Sequence, residues 1–566
     1  MEIMQLEKKC YLSCLVAMLV TGMIFISYSA LASAPANYFV SASAGKDSND
    51  GLTKDSPWAS LSRVQKATLR AGDKVYFKSG DVFNGQLVID ASGTAAAPIH
   101  FTSYGQGQLP VIDGAAMKGG SPLAAVLIVD QDHLEISRLN VKNFRTKKRK
   151  GVTNLDAFGI LVQNTGKRNL RGYNFHDLVV EDVFPIKAKK SFNSTSVTGI
   201  RFETAAASDK SRTFNTGDIY IHDNFLSRTA RFGIGIRHRA SKLKGVSGTA
   251  QDYDTNVRIV NNRCEDTGGS CVLINGVWNG LLESNSFIRS GAMVEPNLSV
   301  NRGSGAWFFR SKNIVAQRNV SVGSRGHNDS AGMHVDFGNQ NILVQYNFTF
   351  NNEGYGTEIL GQNKHVIWRH NISVHDGTRR VDVERPEGGK SKFPGKTVFV
   401  SDFSAPKRIQ SEGIFIYNNT YVIAANSHPL IELNGRDMHL WNNLFVVDQG
   451  GSLGRKVTFG WGSGEGLDMQ GNVFSGNISP DFIRSDSEPV EANISFDGTP
   501  GQPQTYAVNP AVIKQKNLGI SIEHPPFSAA GKGIFSHITA EPEVDIFDNP
   551  ITPDNAGIGA GRRANL

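Results

Sequence analysis

"GMHVDFGNQNILVQYN" (residues 332–347) and "GTEILGQNKHVIWRHN" (residues 356–371) repeat one pattern at an interval of 24 residues. Each stretch begins with glycine, ends with asparagine, and alternates apolar with polar residues near both ends. Alternation with a period of two predicts short β-strands that bury one face. A unit of this length cannot bury its own apolar face, so we expect such units to stack on one another.

The terminal asparagine recurs along most of the chain. It follows an apolar alternation at Asn224, Asn262, Asn285, Asn319, Asn347, Asn371, Asn419, Asn443 and Asn472. The shortest intervals are 23 and 24 residues, and the longest, 48, is twice 24. We expect each asparagine to adopt a left-handed turn at one corner of a coil and to hydrogen-bond its equivalents in the coils above and below.

The predicted fold is therefore all-β, a right-handed parallel β-helix with an asparagine ladder. The main alternative is a β-propeller. Its blades are about 40 residues long and would not give intervals as short as those seen here.

The N terminus has the pattern of a secretory signal peptide. Two lysines precede an apolar run at residues 15–26, and small residues follow up to Ala34. The alternative is an uncleaved membrane anchor. We expect residues 1–34 to be removed on export to the periplasm or the extracellular space, and no membrane span to remain after cleavage.

Export would leave two cysteines, Cys264 and Cys271, of the four in the chain. In an oxidising compartment these two could form a disulfide, or they could be two separately buried thiols. Neither alternative implies catalysis.

Four segments near the two termini resemble a known family. They are "YFVSASAGKDSNDGLTKDSPWASL" (38–61), "LRAGDKVYFKSGDVFNGQLVI" (69–89), "APIHFTSYGQGQLPVIDG" (97–114) and "DIFDNPITPDNAGIGAG" (545–561). They are similar to secreted right-handed β-helix proteins of the pectate-lyase-like superfamily. This resemblance implies the fold and leaves the chemistry open, because the superfamily includes polysaccharide lyases, polysaccharide hydrolases, uronate epimerases and non-catalytic adhesins.

The expected organisation has four parts. They are the signal peptide (1–34), an N-terminal cap segment (35–115), the β-helix body with inserted loops (116–480) and a C-terminal closing segment (481–566). Within the cap segment, Ser60 is the expected N-cap of a short amphipathic helix. Leu61 and Val64 lie on its apolar face, and the helix would cover the open end of the coil stack.

Ionisable residues interrupt the alternation in two neighbouring units. Aligning the units by their asparagines places His334, Asp336 and Glu358 on the outer face of one sheet, with Glu358 beside His334. We expect this outer face to be open to solvent. In the preceding unit, we expect Trp307 and Phe309 to point into the core.

Strand and loop residues around this group complete the candidate site. The candidate catalytic residues are His334, Asp336, Glu358, Arg237 and His238. The candidate substrate-binding residues are Arg325, His327, Tyr355, His375, Arg379 and Arg239. The candidate Ca²⁺ ligands are Asp336, Glu353 and Glu358. A single polar residue on an outer face is ordinary surface, but the cluster favours a site.

Charge narrows the substrate class. Residues 138–244 contain 22 lysines and arginines against 8 acidic residues, although the whole chain has a net charge of only +7. A basic exported surface favours a polyanion, either an acidic glycan, lipopolysaccharide or nucleic acid. The family resemblance favours an acidic polysaccharide such as the exopolysaccharide of a biofilm, so we expect no nucleic-acid partner and a monomeric protein.

The expected reaction is β-elimination by a polysaccharide lyase on a uronate-containing exopolysaccharide. Arginine or Ca²⁺ would neutralise the carboxylate, His334 would remove the proton, and Asp336 and Glu358 would orient His334 or bind the metal. The family's lyases commonly use lysine or arginine as the base, and no lysine occupies the matching outward positions. Three alternatives stay open: an inverting glycoside hydrolase with Asp336 and Glu358 as acid and base, a uronate epimerase, and a non-catalytic glycan-binding matrix protein.

Overall fold

Three long sheets, built from parallel strand pairs, make up the computed structural model of the protein. The structure describes residues 34–563 except 116, 118, 188–195, 209–211, 240–247, 296–297, 386–387, 406, 461–465, 497, 510, 513–518 and 552–556. The predicted signal peptide, apart from Ala34, lies outside the described residues. No helix in the part of the chain described is long and apolar enough to span a membrane.

Sheet 1 has 14 strands and extends along the whole stack. Its strands are Asn37–Val40, Lys74–Lys78, Ile99–Tyr104, Leu134–Ser137, Leu170–His176, Thr216–His222, Asp254–Val260, Val277–Glu283, Lys312–Gln317, Gln340–Gln345, Lys364–Arg369, Ser411–Tyr417, Gly435–Trp441 and Leu467–Gln470.

Sheet 2 has 12 strands and carries the ionisable residues singled out above. Its strands are Leu87–Ile89, Ala124–Val129, Ala157–Asn164, Val197–Thr204, Phe232–His238, Val272–Asn275, Ala306–Phe309, Met333–Val335, Tyr355–Ile359, Lys396–Val400, Leu430–Leu433 and Val457–Phe459.

Sheet 3 has 14 shorter strands. They are Val82–Asn84, Val111–Asp113, Asn140–Phe144, Val179–Phe184, Phe225–Thr229, Arg263–Glu265, Ser286–Ile288, Val320–Val322, Phe348–Phe350, Ile372–Val374, Thr420–Ile423, Leu444–Val447, Val473–Ser475 and Val490–Glu491. A separate antiparallel pair joins Phe403–Ser404 and Lys407–Arg408.

Helices are few among the described residues. They are the α-helices Leu61–Gln65 and Pro480–Ile483 and the 3-10 turns Ala250–Asp252, Pro503–Tyr506 and Gly533–Phe535. The Ser60 hydroxyl accepts a hydrogen bond from the Arg63 amide at 3.1 Å, so Ser60 is the N-cap that its residue type predicts. Leu61 and Val64 are buried in the core. Parallel pairing begins before this helix, at Asn37–Val40, and the capping role of the helix stays a prediction.

Each coil passes through sheets 2, 1 and 3 in turn, which defines a parallel β-helix. Strands Met333–Val335, Gln340–Gln345 and Phe348–Phe350 form one coil, and Tyr355–Ile359 starts the next. The right-handed sense of the coil remains a prediction, based on the rule that crossovers between parallel strands are right-handed. The alternation explains the core, because inward residues of successive sheet-2 strands meet in one column. Ile236, Ile274, Phe308, Val335 and Ile359 form this column, each with 0% exposure.

The asparagines stack side chain to side chain at the corner between sheets 1 and 3. Asn319 Nδ2 donates to Asn347 Oδ1, and Asn347 Nδ2 donates to Asn371 Oδ1, both at 2.9 Å. The same bond links every consecutive pair from Asn224 to Asn472. The left-handed residue is not the asparagine, as we expected, but the one before it, for example Tyr346 with φ of 56°.

Glycine begins the two quoted stretches because the corner between sheets 3 and 2 has no room for a side chain. A Cβ on Gly332 would lie 2.3 Å from Thr349 Cγ2, and one on Gly356 would lie 2.8 Å from Ser373 Oγ. The same corner contains a disulfide between Cys264 and Cys271, which settles the alternative that the sequence left open.

The closing segment packs against sheets 1 and 3. Phe527, Phe535 and Ile538 cover outward residues of sheet 1. Tyr506 and Ala560 pack against outward residues of sheet 3. The central polar candidates lie instead on the outer face of sheet 2.

Candidate active site

A column on the outer face of sheet 2 brings the central candidates together. His334 pairs with Glu358 on one side and with Trp307 on the other. The predicted proximity of His334 and Glu358 is therefore present. The predicted inward orientation of Trp307 and Phe309 is wrong, because Ala306 and Phe308 occupy the core positions of that strand. All residues of the strand are apolar, so its alternation could not reveal the register.

The predicted exposure of this group to solvent is also wrong. His334 is 2% exposed, Asp336 5% and Glu358 1%. The Trp307 ring stacks on the His334 imidazole at 5.9 Å between ring centres and 12° between planes.

Asp329 is a site residue that the predicted set did not contain. Both of its carboxylate oxygens accept hydrogen bonds from the Arg302 guanidinium, at 2.8 and 3.0 Å. Its carbonyl oxygen accepts from Arg379 Nη1 at 2.9 Å. A Cβ on Gly354 would lie 1.8 Å from that carbonyl oxygen, so the glycine in the next coil makes the position of Asp329 possible.

Asp336 lies at the end of the same strand column. Its Oδ2 accepts a hydrogen bond from Trp307 Nε1 at 2.6 Å, and its Oδ1 accepts from the Phe337 amide at 2.8 Å. Burial raises the pKa of Asp336 to about 7, and the charge of Asp329 adds to this rise. The two hydrogen bonds oppose the rise without cancelling it.

The pKa of Asp329 shifts in the opposite direction. Burial alone would raise the pKa of Asp329, but the charge of Arg302 and the hydrogen bonds from its guanidinium outweigh burial and hold the pKa below its ordinary value. Asp329 is therefore ionised at neutral pH, whereas Asp336 titrates near neutral pH.

Burial shifts the pKa values of His334 and Glu358 in opposite directions. Burial lowers the pKa of His334 to about 4, although Asp329 opposes this shift. Burial, together with the charges of Asp329 and Asp336, raises the pKa of Glu358 well above its ordinary value. His334 Nδ1 lies 3.5 Å from Glu358 Oε2, and both pKa shifts favour the uncharged forms of the two groups.

A possible metal-binding group is present, but it differs from the predicted one. Ligand atoms of Asp329, His334 and Glu358 lie within 4.8 Å of one another. Ca²⁺ prefers six to eight oxygen ligands, whereas this group offers an imidazole, and Arg302 occupies both oxygens of Asp329. These residues do not fit Ca²⁺. Of the predicted ligands, Glu353 instead forms an ion pair with Arg385 at 2.5 Å.

Of the predicted binding residues, Tyr355 and Arg379 lie next to the central group. The Arg379 guanidinium carbon is 5.0 Å from the Tyr355 ring centre. Arg325 and Arg379 line a neighbouring cavity of about 430 Å³, and His327 belongs to the loop that contains Asp329. The structure does not bring His375 to the site, because its Nε2 contacts Asp448 at 3.0 Å beyond the end of a sheet-3 strand.

The predicted catalytic residues Arg237 and His238 are separated from His334 along the same sheet. Their strand, Phe232–His238, is three strand spacings from Met333–Val335, or roughly 14 Å. His238 Nε2 contacts the Phe214 carbonyl at 3.0 Å, and Arg239 forms an ion pair with Glu203 at 2.7 Å. These three residues belong to a different cluster from the central group.

The sequence interpretation missed Arg302, Trp307 and Asp329. Asp329 and Arg302 lie in loops, where no periodicity predicts orientation. One signal in the sequence could have identified Asp329. It lies seven residues before Asp336, and the two acidic residues flank the same short strand, Met333–Val335.

Comparison with known proteins gives one curated relative with a clear match. It is a lacto-N-biosidase of Bifidobacterium longum subsp. longum, 23% identical over 535 residues that cover 81% of this chain. The match spans only 31% of the length of that relative. No family model matches the chain.

Solved structures show the same architecture. The GH136 lacto-N-biosidase from Eubacterium ramulus superposes with a TM-score of 0.52 at 19% identity, over 81% of this chain and 68% of that one. A PL6 family alginate lyase, AlyGC, matches with a TM-score of 0.45 at 15% identity, over 90% of this chain and 60% of that one. The chain thus shares its fold, a parallel β-helix, with the GH136 structure.

Proposed function

We propose that the protein is a glycoside hydrolase that cleaves a glycan at the Asp329–Asp336 pair. One observation supports this most strongly: two neighbouring carboxyl groups have surroundings that move their pKa values in opposite directions. Such a separation distinguishes the acid from the ionised partner in glycosidases.

Asp336 is the proton donor in this proposal. Its pKa of about 7 keeps a large protonated fraction at neutral pH, and a carboxylic acid can then protonate the leaving glycosidic oxygen. Trp307 and the Phe337 amide fix the orientation of the carboxyl group. The same bonds stabilise the carboxylate that remains after proton transfer.

Asp329 is the ionised partner. Arg302 keeps it charged and holds both oxygens in one plane, so the carboxylate can stabilise positive charge that develops on the sugar ring or activate the attacking group. His334 and Glu358 are too deeply buried to contact substrate directly. We assign them to positioning Trp307 and Asp329 from beneath.

Two further observations support the class of enzyme and its location. The curated relative and the solved structure with the TM-score of 0.52 are both named as lacto-N-biosidases, and the latter as a member of GH136. The Cys264–Cys271 disulfide suits an oxidising compartment. We therefore place the enzyme outside the cytoplasm, acting on a polysaccharide or oligosaccharide there.

A lyase is the second candidate because of the protonation state of His334. With a pKa of about 4, its imidazole is unprotonated at neutral pH. Within the described residues, its Nε2 has no hydrogen-bond partner. A free imidazole nitrogen is what a base for β-elimination requires. Against this role stands the 2% exposure of His334.

The proposal is tested with a panel of acidic and neutral glycans and three variants of the full chain. We expect Asp336→Asn and Asp329→Asn each to lower turnover by about 10²–10⁴-fold, the range for removal of an acid–base group. Asp481→Asn, a strongly exposed carboxylate in the closing segment, is the matched control and should keep full activity. Full turnover in both site variants would exclude this pair as the catalytic groups.

A further inference from the structure

We propose that the outer face of sheet 2 contains an anion-binding subsite, formed by Arg201, Arg231 and Arg237, that takes the carboxylate or sulfate group of an acidic glycan. The assignment of the glycan rests on the proposed hydrolase function. The anion site itself rests on the geometry and charge of these arginines.

The three arginines lie on or directly before two adjacent strands that precede Trp307 in the sequence. Arg201 belongs to Val197–Thr204 and Arg237 to Phe232–His238, and Arg231 directly precedes the second strand. The Arg231 guanidinium lies 4.5 Å over the Phe232 ring, which is 6.2 Å from Trp307. A glycan that lies on Trp307 can therefore extend along the sheet to the arginines.

Among the described residues, the cluster contains more arginines than carboxylates. Arg201 and Arg239 share one carboxylate, Glu203, at 3.2 and 2.7 Å. A second acidic group that interacts with the cluster is Asp156, and burial raises its pKa. In the part of the chain that the structure describes, four arginines thus lie near these two acidic residues, one of which is less readily ionised than usual.

This excess of positive charge is energetically unfavourable without an anion. Burial, followed by repulsion from neighbouring arginines, lowers the pKa of Arg231 to about 9. Burial is also the main cause that lowers the pKa of Arg201 to about 10. Taking charges out of water costs free energy unless an opposite charge is supplied. An oxyanion between the guanidinium groups would supply it and would accept several charge-assisted hydrogen bonds.

One guanidinium nitrogen of Arg201 is buried without a hydrogen-bond partner among the described residues. Its side chain is 1% exposed, and its Nη1 has no hydrogen-bond partner within the described part of the chain. That nitrogen lies over Gly235, where a Cβ would be only 2.8 Å away. Gly235 occupies the outward position between Arg201 and Leu273, so the column has no side chain at this level.

Gly235→Ala tests the subsite without changing the charge. The new methyl group would displace the Arg201 guanidinium, whereas Ala fits the backbone because Gly235 does not have a positive φ. Arg237→Gln provides a second variant at a half-buried position. Arg436→Gln, an exposed arginine on sheet 1, removes the same charge elsewhere and serves as the control.

Binding is measured by calorimetry on the full chain carrying Asp329→Asn, which prevents turnover. The probes are inorganic sulfate and uronate or sulfated oligosaccharides, each acidic oligosaccharide paired with a neutral one of equal length. We expect Gly235→Ala and Arg237→Gln to weaken acidic-probe binding by about tenfold or more, the effect of losing a charge-assisted hydrogen bond. Arg436→Gln should bind as tightly as the unaltered chain.

Three outcomes decide the proposal. Acidic probes that bind equally to all variants, or no more tightly than neutral probes, overturn the subsite. Sulfate binding that depends on Gly235, without binding of any acidic oligosaccharide, supports the anion site and overturns its assignment to a glycan. Hydrolysis is scored separately in the wild type, so anion binding without hydrolysis contradicts the proposed enzyme and leaves the anion site standing.

Discussion

Asp329 and Asp336 lie seven residues apart and have chemically identical carboxyl groups, but their neighbours determine the pKa of each. Arg302 supplies charge to Asp329, whereas Asp336 is enclosed by Trp307 and Phe337 and keeps its proton to higher pH. The sequence predicted Asp336 as a site residue but not its partner, because a loop residue such as Asp329 takes its orientation from a distant arginine.

The activity should depend on pH through this pair. Asp336 must be protonated, so kcat/KM should fall as pH rises through about 7. Asp329 must be ionised, and since its pKa is lowered, the acid limb should lie well below neutral pH. A pH profile of wild type and Asp336→Asn checks this: the variant should lose the alkaline limb along with most of the rate. An alkaline limb that persists unchanged in Asp336→Asn would assign it to another group.

Removal of His334 should destabilise the protein. The imidazole is buried and stacked on Trp307, so His334→Ala leaves a cavity and should lower the free energy of unfolding by roughly 1–3 kcal/mol. Urea unfolding of the variant measures the change. His375→Ala, at a partly exposed histidine away from the site, is the comparison. Equal stability of His334→Ala and wild type would mean that the site is more open than the structure shows.

At the scale of the coil, the repeat predicted most of the architecture. The spacing of asparagines such as Asn347 and Asn371 corresponds to a continuous run of amide hydrogen bonds. The register of the strand Ala306–Phe309 was misjudged by one residue. Both faces of such a strand are apolar, so burial of either face is similarly favourable. The sequence pattern therefore does not reveal which residues point inward.

Replacement of one stacked asparagine should destabilise the whole parallel β-helix. Asn347 Nδ2 donates to Ala316 O, Gln345 O and Asn371 Oδ1, and its Oδ1 accepts from Asn319. Asn347→Ala leaves buried partners unsatisfied, at a cost of about 1–3 kcal/mol. Thermal or urea unfolding provides the measurement.

The control for this substitution is Asn84→Ala, at an exposed asparagine in a strand of sheet 3. It should change stability by less than about 0.5 kcal/mol. A similar small change for Asn347→Ala would show that the stack is not a stabilising element.

At the scale of the whole molecule, the closing segment and the charge distribution act together. The segment packs on sheets 1 and 3, while sheet 2 presents the arginine cluster and the carboxyl pair on its outer face. The basic bias of residues 138–244 was visible in the sequence. The concentration of Arg201, Arg231 and Arg237 on one face follows from the coil register, which composition does not contain.

This distribution predicts salt-sensitive binding of acidic glycans. Screening weakens attraction between exposed charges, so affinity for an acidic oligosaccharide should fall by about tenfold or more between low and high salt. Affinity for a neutral oligosaccharide of equal length should stay nearly constant. Titrations at several salt concentrations make the comparison, and a flat response for the acidic glycan would exclude the arginines as its binding groups.

The most direct test of the hydrolase assignment is product analysis in water enriched in heavy oxygen. Cleavage by hydrolysis adds one water-derived oxygen to each new reducing end, and mass spectrometry detects it. We predict this incorporation in the wild type and its loss, together with turnover, in Asp329→Asn and Asp336→Asn. Products with unsaturated ends and no heavy oxygen would contradict the account and assign the reaction to a lyase.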